Sequence, residues 1–394
     1  MSRLQKLLLA AFGVGLAGVI ALAALPLLRP ASGCIPAPGD WFWLVFGVTG
    51  AYREVCGVFP ITQQEEGFPA FWRFNNYGLN DDDYTLEKPP GVFRIVVVGD
   101  SFPQALQVER EQGFTWLLEE YLNADSPRRV EVINLSVDAY GTDRELLLYA
   151  ALGWQFQPDL VLLSIYTGND IQDNQIDLEH RRYGYRLNRP YFTQQDGRLR
   201  LHNSPTYDAG QYPDSPVFGW LARMQAAQLP ATPENPPPRP AVLSQQPYII
   251  EYPVELGIFL PEDDYWRDAW AITEALVLAF RDVVEDLQGV PFAAVIIPDR
   301  RAIHNTDWGI LLDLYGERVP AVHQADLLAP ASRMEAFLES SGIPALNLTW
   351  ALKTEANSSG ERLYYADDGH FNARGHAAAA RRIALWLRGR GLVP

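Results

Sequence analysis

"IVVVGDSFP", residues 95–103, decides how the chain folds. Four β-branched residues, Ile95 to Val98, follow one another with no polar position between them. Such side chains suit a pleated strand, and an unbroken apolar run is what a strand buried on both faces requires. Gly99 ends the run, and the chain arrives directly on Asp100 and Ser101. Two readings follow. Either this is a plain strand-to-helix turn with Ser101 as the helix cap, or Ser101 is presented at the edge of a sheet for chemistry.

The neighbouring sequence repeats the alternation. "VFRIVVVG" is succeeded by the helical "GFTWLLEEYLNA", the strand-like "VEVINLSV", the helical "RELLLYAALGWQ" and a third strand, "PDLVLLSIY". Much later come "PFAAVIIP" and "PALNLT", with "SRMEAFLESSG" helical between them, and a final helix, "ARGHAAAARRIALWLRG". Continuous apolar strands separated by helices predict an α/β domain: a parallel central sheet between two helical layers.

An insertion at roughly 171–290 separates the third and fourth strands. "YFTQQDGRLRLH" predicts a hairpin turning at Asp196-Gly197. The Pro-rich "PATPENPPPRPAV" excludes regular helix or strand. "DDYWRDAWAITEALVLAFRDVVEDLQ" then predicts a long helix back to the sheet. An insertion beside a strand's carboxyl end is placed to form a lid or a substrate wall.

Residues 1–30 are a separate object. Arg3 and Lys6 precede Leu7 to Leu28, a run without a charge that would span about 33 Å as a helix, enough to cross a bilayer's hydrocarbon core. The basic residues ahead of it favour a cytoplasmic start with the remainder exported. The expectation is an uncleaved signal-anchor spanning the membrane through residues 7–28, a stalk and lead-in at 31–90, and an extracytoplasmic domain at 91–394. Cys34 and Cys56 would lie in the exported part, where a disulfide and two thiols are both open readings. Net charge is −16, from 32 basic against 48 acidic residues, which argues against nucleic acid as a partner. The acidic "NDDD" at 80–83 lacks the glycine and distal glutamate of a calcium loop and reads as a solvated turn.

Ligands of open α/β sheets collect at the carboxyl ends of the strands. Those positions here carry "GDSF", "NLSVDAYGTD" and "TGND", and "YYADDGHFNARGH" precedes the final helix. In this order and context, "GDSF" at 99–102, "TGND" at 167–170 and "DDGHFNARGH" at 367–376 resemble the SGNH (GDSL) hydrolases, a family with a flavodoxin-like three-layer fold. The resemblance covers about residues 75–394 apart from the insertion. It implies a nucleophile at Ser101, which follows a strand and opens a helix, with His370 as the base that takes and returns the proton. A carboxylate upstream would hold the imidazole's tautomer. The family's usual position, three before the histidine, is Asp367; some branches use the residue two before, Asp368. The resemblance leans to Asp367. It also implies oxyanion donors in the Ser101 N–H, a glycine N–H in the second block and the Asn169 amide. The glycine position falls on Ala139 here, with Gly141 two residues on; an alanine N–H would serve if φ stays negative.

The function implied is a serine esterase or deacylase working outside the cytoplasmic membrane on acyl esters, O-acetyl groups of carbohydrate among them, with no metal and no organic cofactor. An O-acyltransferase using the same site, and a non-catalytic glycan-binding or assembly protein, are the alternatives. His376 reads as a buried or capping residue of the last helix.

Overall fold

The computed structural model describes residues 57–62, 69–124, 126–183, 189–195, 197–202, 253–366 and 368–394. Its centre is a sheet of five parallel strands: β1 (Phe93–Gly99), β2 (Val130–Ser136), β3 (Leu160–Tyr166), β4 (Phe292–Ile297) and β5 (Ala345–Asn347). Their spatial order is β2-β1-β3-β4-β5. From β1 the chain first moves outward to β2, then returns to β3 on the other side. This reversal opens a crevice at the carboxyl ends of β1 and β3, where doubly wound sheets bind their ligands.

Helices cover both faces. They are α1 (Phe114–Asn123), α2 (Thr142–Ala151), α3 (Ile176–Tyr183), α4 (Asp264–Gln288), α5 (Asn305–Tyr315), α6 (Ala329–Ser340), α7 (Thr349–Ser359) and α8 (Ala373–Gly389). The β1 run explains the two layers. Val96 and Val98 point into one core with α2, α4 and α6, while Ile95 and Val97 point into the other with α1, α7 and α8. All four are fully buried. At about 1.5–3 kcal/mol per buried aliphatic side chain, no alternating half-polar pattern could hold a sheet in this position.

The insertion keeps its expected elements. The hairpin pairs Tyr191–Gln195 with Arg198–His202, and Gly197 takes φ +71° at its turn; Asp196 lies outside the described residues. The long helix is α4, started by the Asp263 carboxylate accepting from the Trp266 N–H and stopped at Gly289 in the left-handed region. The Pro-rich stretch lies outside the described residues.

The "NDDD" reading needs correction. Asn80 and Asp81 are buried, not solvated. Asp81 Oδ2 accepts from the Asn134 N–H at 2.7 Å, so the lead-in is sewn to the sheet by a backbone donor that would otherwise be orphaned. Tyr77 meets Phe156 edge to face, and Leu79, Tyr84 and Leu86 join it against the core, so this part of the lead-in packs on the sheet domain. The apolar run 7–28, Cys34 and Cys56 lie outside the described residues. Among the described residues no helix is long and apolar enough to cross a membrane.

Candidate active site

Ser101 stands where β1 leaves the sheet. Gly99 permits the approach: a Cβ there would come within 2.6 Å of Pro103 Cγ and 2.9 Å of Ser164 Cβ. Residues Ser101–Gln104 form one helical turn, and its cap is Asp100, whose Oδ1 accepts from the Phe102 N–H at 3.0 Å. The serine is therefore not the cap. Its hydroxyl faces instead toward the loop ahead of α8.

That loop carries His370. The imidazole Nε2 lies 2.7 Å from Ser101 Oγ, and Nδ1 lies 2.6 Å from Asp368 Oδ1. A carboxylate only accepts, so Nδ1 carries the proton and Nε2 is left to accept from the hydroxyl. The His370 backbone N–H donates to the same Asp368 oxygen at 3.1 Å. Asp367 lies outside the described residues; the described partner of Nδ1 is Asp368, two before the histidine. Around this core the loop is closed by local bonds. Gly369 takes φ +89°, Phe371 pairs with Tyr364, and Asn372 caps α8 by accepting from the Arg374 and Gly375 N–H groups. Phe102 packs against the imidazole with ring centroids 5.2 Å apart.

Burial pushes the His370 pKa down, but the bond and charge of Asp368, helped by Asp100 and Asp138, outweigh it and raise it above the ordinary value. Burial likewise pushes Asp368 up, and the His370 bonds, with the Arg300 charge, bring it below the usual carboxylate range. Asp100 is fully buried, and burial above all raises its carboxyl to about 6.

The third side of the site comes from the end of β3. A Cβ at Gly168 would sit 2.3 Å from Tyr166 Cζ, so only glycine lets the chain turn over that ring. Tyr166 Oη donates to Asp299 Oδ2 at 3.2 Å. Asn169 is buried, and its Nδ2 donates to Asp173 Oδ2 at 3.2 Å.

Ala139 and Gly141 separate cleanly. Ala139 lines the same cavity as Ser101, Asn169 and His370; Gly141 does not. Gly141 precedes α2 as its cap, with Asn174 Oδ1 where a Cβ would go. The expectation of negative φ at 139 is overturned: Ala139 sits at φ +60°, the left-handed region that a Cβ disfavours by about 1–2 kcal/mol. The tight crossing from Val137 to Tyr140 dictates that conformation, and the family's glycine would adopt it without strain.

The cavity measures about 420 Å³. Its wall includes Asp138, Tyr166, Arg182, Glu255, Arg300 and Arg301, none of which the sequence singled out. Arg300 and Arg301 follow the carboxyl end of β4, so the rule that found "GDSF" and "TGND" reaches them too. Arg182 and Glu255 come from the insertion and carry no sequence signal. His376 is buried, with Nδ1 accepting from the Phe114 N–H at 3.3 Å, and burial pushes its pKa down to about 3. Among the described residues, no group of three His, Cys, Asp or Glu side chains is placed to hold a metal ion.

No family model matches the chain, and no curated protein matches it. Several solved structures resemble it in fold. One is a lipase/acylhydrolase from Enterococcus faecalis, 12% identical over 76% of this chain and 96% of that chain, with a TM-score of 0.38. Another is TesA, 13% identical over 75% of this chain and 98% of that chain, with a TM-score of 0.36. A third is a two-domain esterase active on acetylated mannans, 11% identical over 76% of this chain but only 49% of its own, with a TM-score of 0.37.

Proposed function

We propose that the chain is a serine ester hydrolase of the SGNH type, acting on acyl esters of carbohydrate, O-acetyl groups among them, outside the cytoplasmic membrane to which residues 7–28 tether it. One observation carries the reading: Ser101 Oγ, His370 and Asp368 form a continuous chain of hydrogen bonds at the mouth of a cavity.

The geometry supports the following steps. An ester carbonyl enters the cavity, Ser101 Oγ attacks its carbon, and Nε2 takes the hydroxyl proton. Asp368 stabilises the imidazolium that results. The carbonyl oxygen gains the negative charge, which the Ser101 N–H and the Asn169 amide are proposed to meet as donors; Ala139 lines the same cavity. Collapse returns the proton to the departing alcohol and leaves an acyl-serine. Water then attacks by the same route, giving the free acid and restoring Ser101.

The test is full-length protein in detergent micelles, assayed on p-nitrophenyl acetate and on an O-acetylated glycan, beside Ser101→Ala. Wild type should hydrolyse both and label with a fluorophosphonate probe, and the variant should do neither. A wild type that neither turns over ester nor takes the probe sinks the proposal. Acetyl groups appearing on an added glycan acceptor would move the chemistry from hydrolysis to transfer.

A further inference from the structure

We propose that Asp173 and Arg182 form a positioning pair: Asp173 turns the Asn169 amide so that an N–H faces the reacting acyl group, and Arg182 cancels the charge Asp173 would otherwise add there. The inference rests on the ester-hydrolase reading above and names the two residues that make its third donor work.

Asn169 precedes the single helical turn Asp170–Asp173. Two bonds tie it to the far end of that turn: the Asp173 N–H donates to the Asn169 carbonyl at 2.7 Å, and Asn169 Nδ2 donates to Asp173 Oδ2 at 3.2 Å. An amide has two faces of nearly equal shape, one donating and one accepting. A carboxylate accepts only, so Asp173 fixes which face turns which way. One Nδ2 hydrogen goes to Asp173, and the second remains for the cavity that Asn169 lines. Among the described residues Asn169 Oδ1 has no hydrogen-bond partner, so none of them pulls the amide the other way.

A carboxylate in this place carries a penalty. Asp173 is fully buried, and the intermediate places a second negative charge close by. Its influence already reaches the residue beside the nucleophile, where it is one of the charges that add to burial in raising Asp100. Arg182 answers that charge. Its Nη1 lies 3.1 Å and 2.9 Å from the two Asp173 oxygens, and the same side chain forms part of the cavity wall. Arg182 belongs to α3, the first long helix of the insertion. Behind the pair, Arg189 donates to the Asp173 carbonyl at 2.7 Å and is itself held by Asp143 and Glu179. The insertion thus supplies the cation that makes the donor usable, beyond any role as a wall.

The two functions separate by substitution in the full-length protein. Asp173→Ala removes the orienting acceptor, and kcat should fall about 30- to 100-fold with KM little changed, because the donor acts in the transition state. Asp173→Asn keeps an acceptor oxygen, and should recover most of that loss. Arg182→Gln leaves the carboxylate unneutralised, and kcat should fall about 10-fold or more. The double variant Asp173→Asn/Arg182→Gln removes both charges and should turn over faster than Arg182→Gln alone. A merely structural pair would give the opposite order, the double variant being worst. Equal loss in Asp173→Ala and Asp173→Asn, or a double variant no faster than Arg182→Gln, overturns the proposal.

A second readout does not need turnover. The Asn169 side-chain amide resonance, assigned by its disappearance in Asn169→Ala, should shift in Asp173→Ala and stay near its place in Asp173→Asn. An inert wild type with this pattern would defeat the hydrolase reading and leave the positioning role standing. An unmoved resonance in Asp173→Ala would defeat the positioning role itself.

Discussion

Replacing Asp368 by asparagine and by alanine should produce two very different enzymes. Both bonds from His370, ring Nδ1–H and backbone N–H, end on the same oxygen, Asp368 Oδ1. An amide oxygen in that place can accept both, so Asp368→Asn keeps the ring orientation and the tautomer and loses only the charge. Two unit charges about 4 Å apart interact by about 4 kcal/mol at an effective dielectric of 20. The two side chains are 23% and 26% exposed, which calls for a discount of about half for solvent screening. The remaining 2 kcal/mol corresponds to about a 30-fold fall in kcat. Asp368→Ala also frees the ring, and the combined loss should reach about 10³-fold, approaching the 10⁴-fold seen where a triad histidine is left in the wrong tautomer. Asp367→Asn should stay within a few-fold of wild type. The assay is kcat on p-nitrophenyl acetate with circular dichroism to confirm folding. Equal losses for the asparagine and alanine variants, or a full-sized loss at Asp367 with none at Asp368, would refute the reasoning.

Four further outcomes follow from the same geometry. The acid limb of kcat/KM should lie above the ordinary histidine value, because Asp368 raises His370 and only the neutral ring accepts a proton; in Asp368→Asn the limb should move to lower pH. Ala139→Gly should raise the melting temperature by about 1–2 °C, since relief of a left-handed alanine exceeds the added chain entropy by a fraction of a kcal/mol. Gly168→Ala should cost about 1–3 kcal/mol by overpacking and lower kcat as well, since the new Cβ must displace the Tyr166 ring and with it the Asn169 turn. Asp81 is raised by burial to about 8, so its contribution to stability is complete below the unfolded carboxyl pKa and is lost as pH rises toward 8. Urea melts between pH 4 and 8 should show that loss, up to about 1.4 kcal/mol per pH unit from this group, and Asp81→Asn should flatten the slope.

The sheet was legible because its strands are largely apolar and its helices amphipathic, and both signals are local. Ser101 and Asn169 lie where strand carboxyl ends can be marked on a sequence before any fold is known, whereas His370 was marked by the resemblance of the loop ahead of the final helix. Other features depend on local backbone geometry or on neighbours far along the chain. That Asp100 caps the turn is a matter of backbone geometry between adjacent residues. That Asp81 is buried depends on a strand more than fifty positions later offering an N–H. Arg182 and Glu255 reach the cavity only because the insertion folds back, and neither belongs to a pattern a single chain can display. Ala139 shows the reverse: the departure from glycine was visible, but its left-handed conformation was not, because φ is set by the crossing the loop must make.

A chain with sixteen excess negative charges has to develop one more at the carbonyl oxygen, and the surroundings of the site show how that is managed. Seven of the nearby acids fall into three groups. Asp173, Asp299, Asp143 and Glu179 are each paired with arginine, through Arg182, Arg301, Arg189 and Arg144. Glu145 and Asp170 lie in the interior, with no cation in hydrogen-bonding contact among the described residues; burial first and then the Asp100 charge raise both well above the usual range, with Asp143 adding to Glu145 and Glu145 adding to Asp170, which favours their neutral forms. Asp138 alone on this list stands in solvent, where screening weakens it. Pairing, protonation and screening each remove a charge that would oppose the oxyanion. Hence substitutions that strip a cation should slow the reaction more than substitutions that strip the acid facing it, and Arg301→Gln measured against Asp299→Asn extends that ordering to the opposite wall of the cavity.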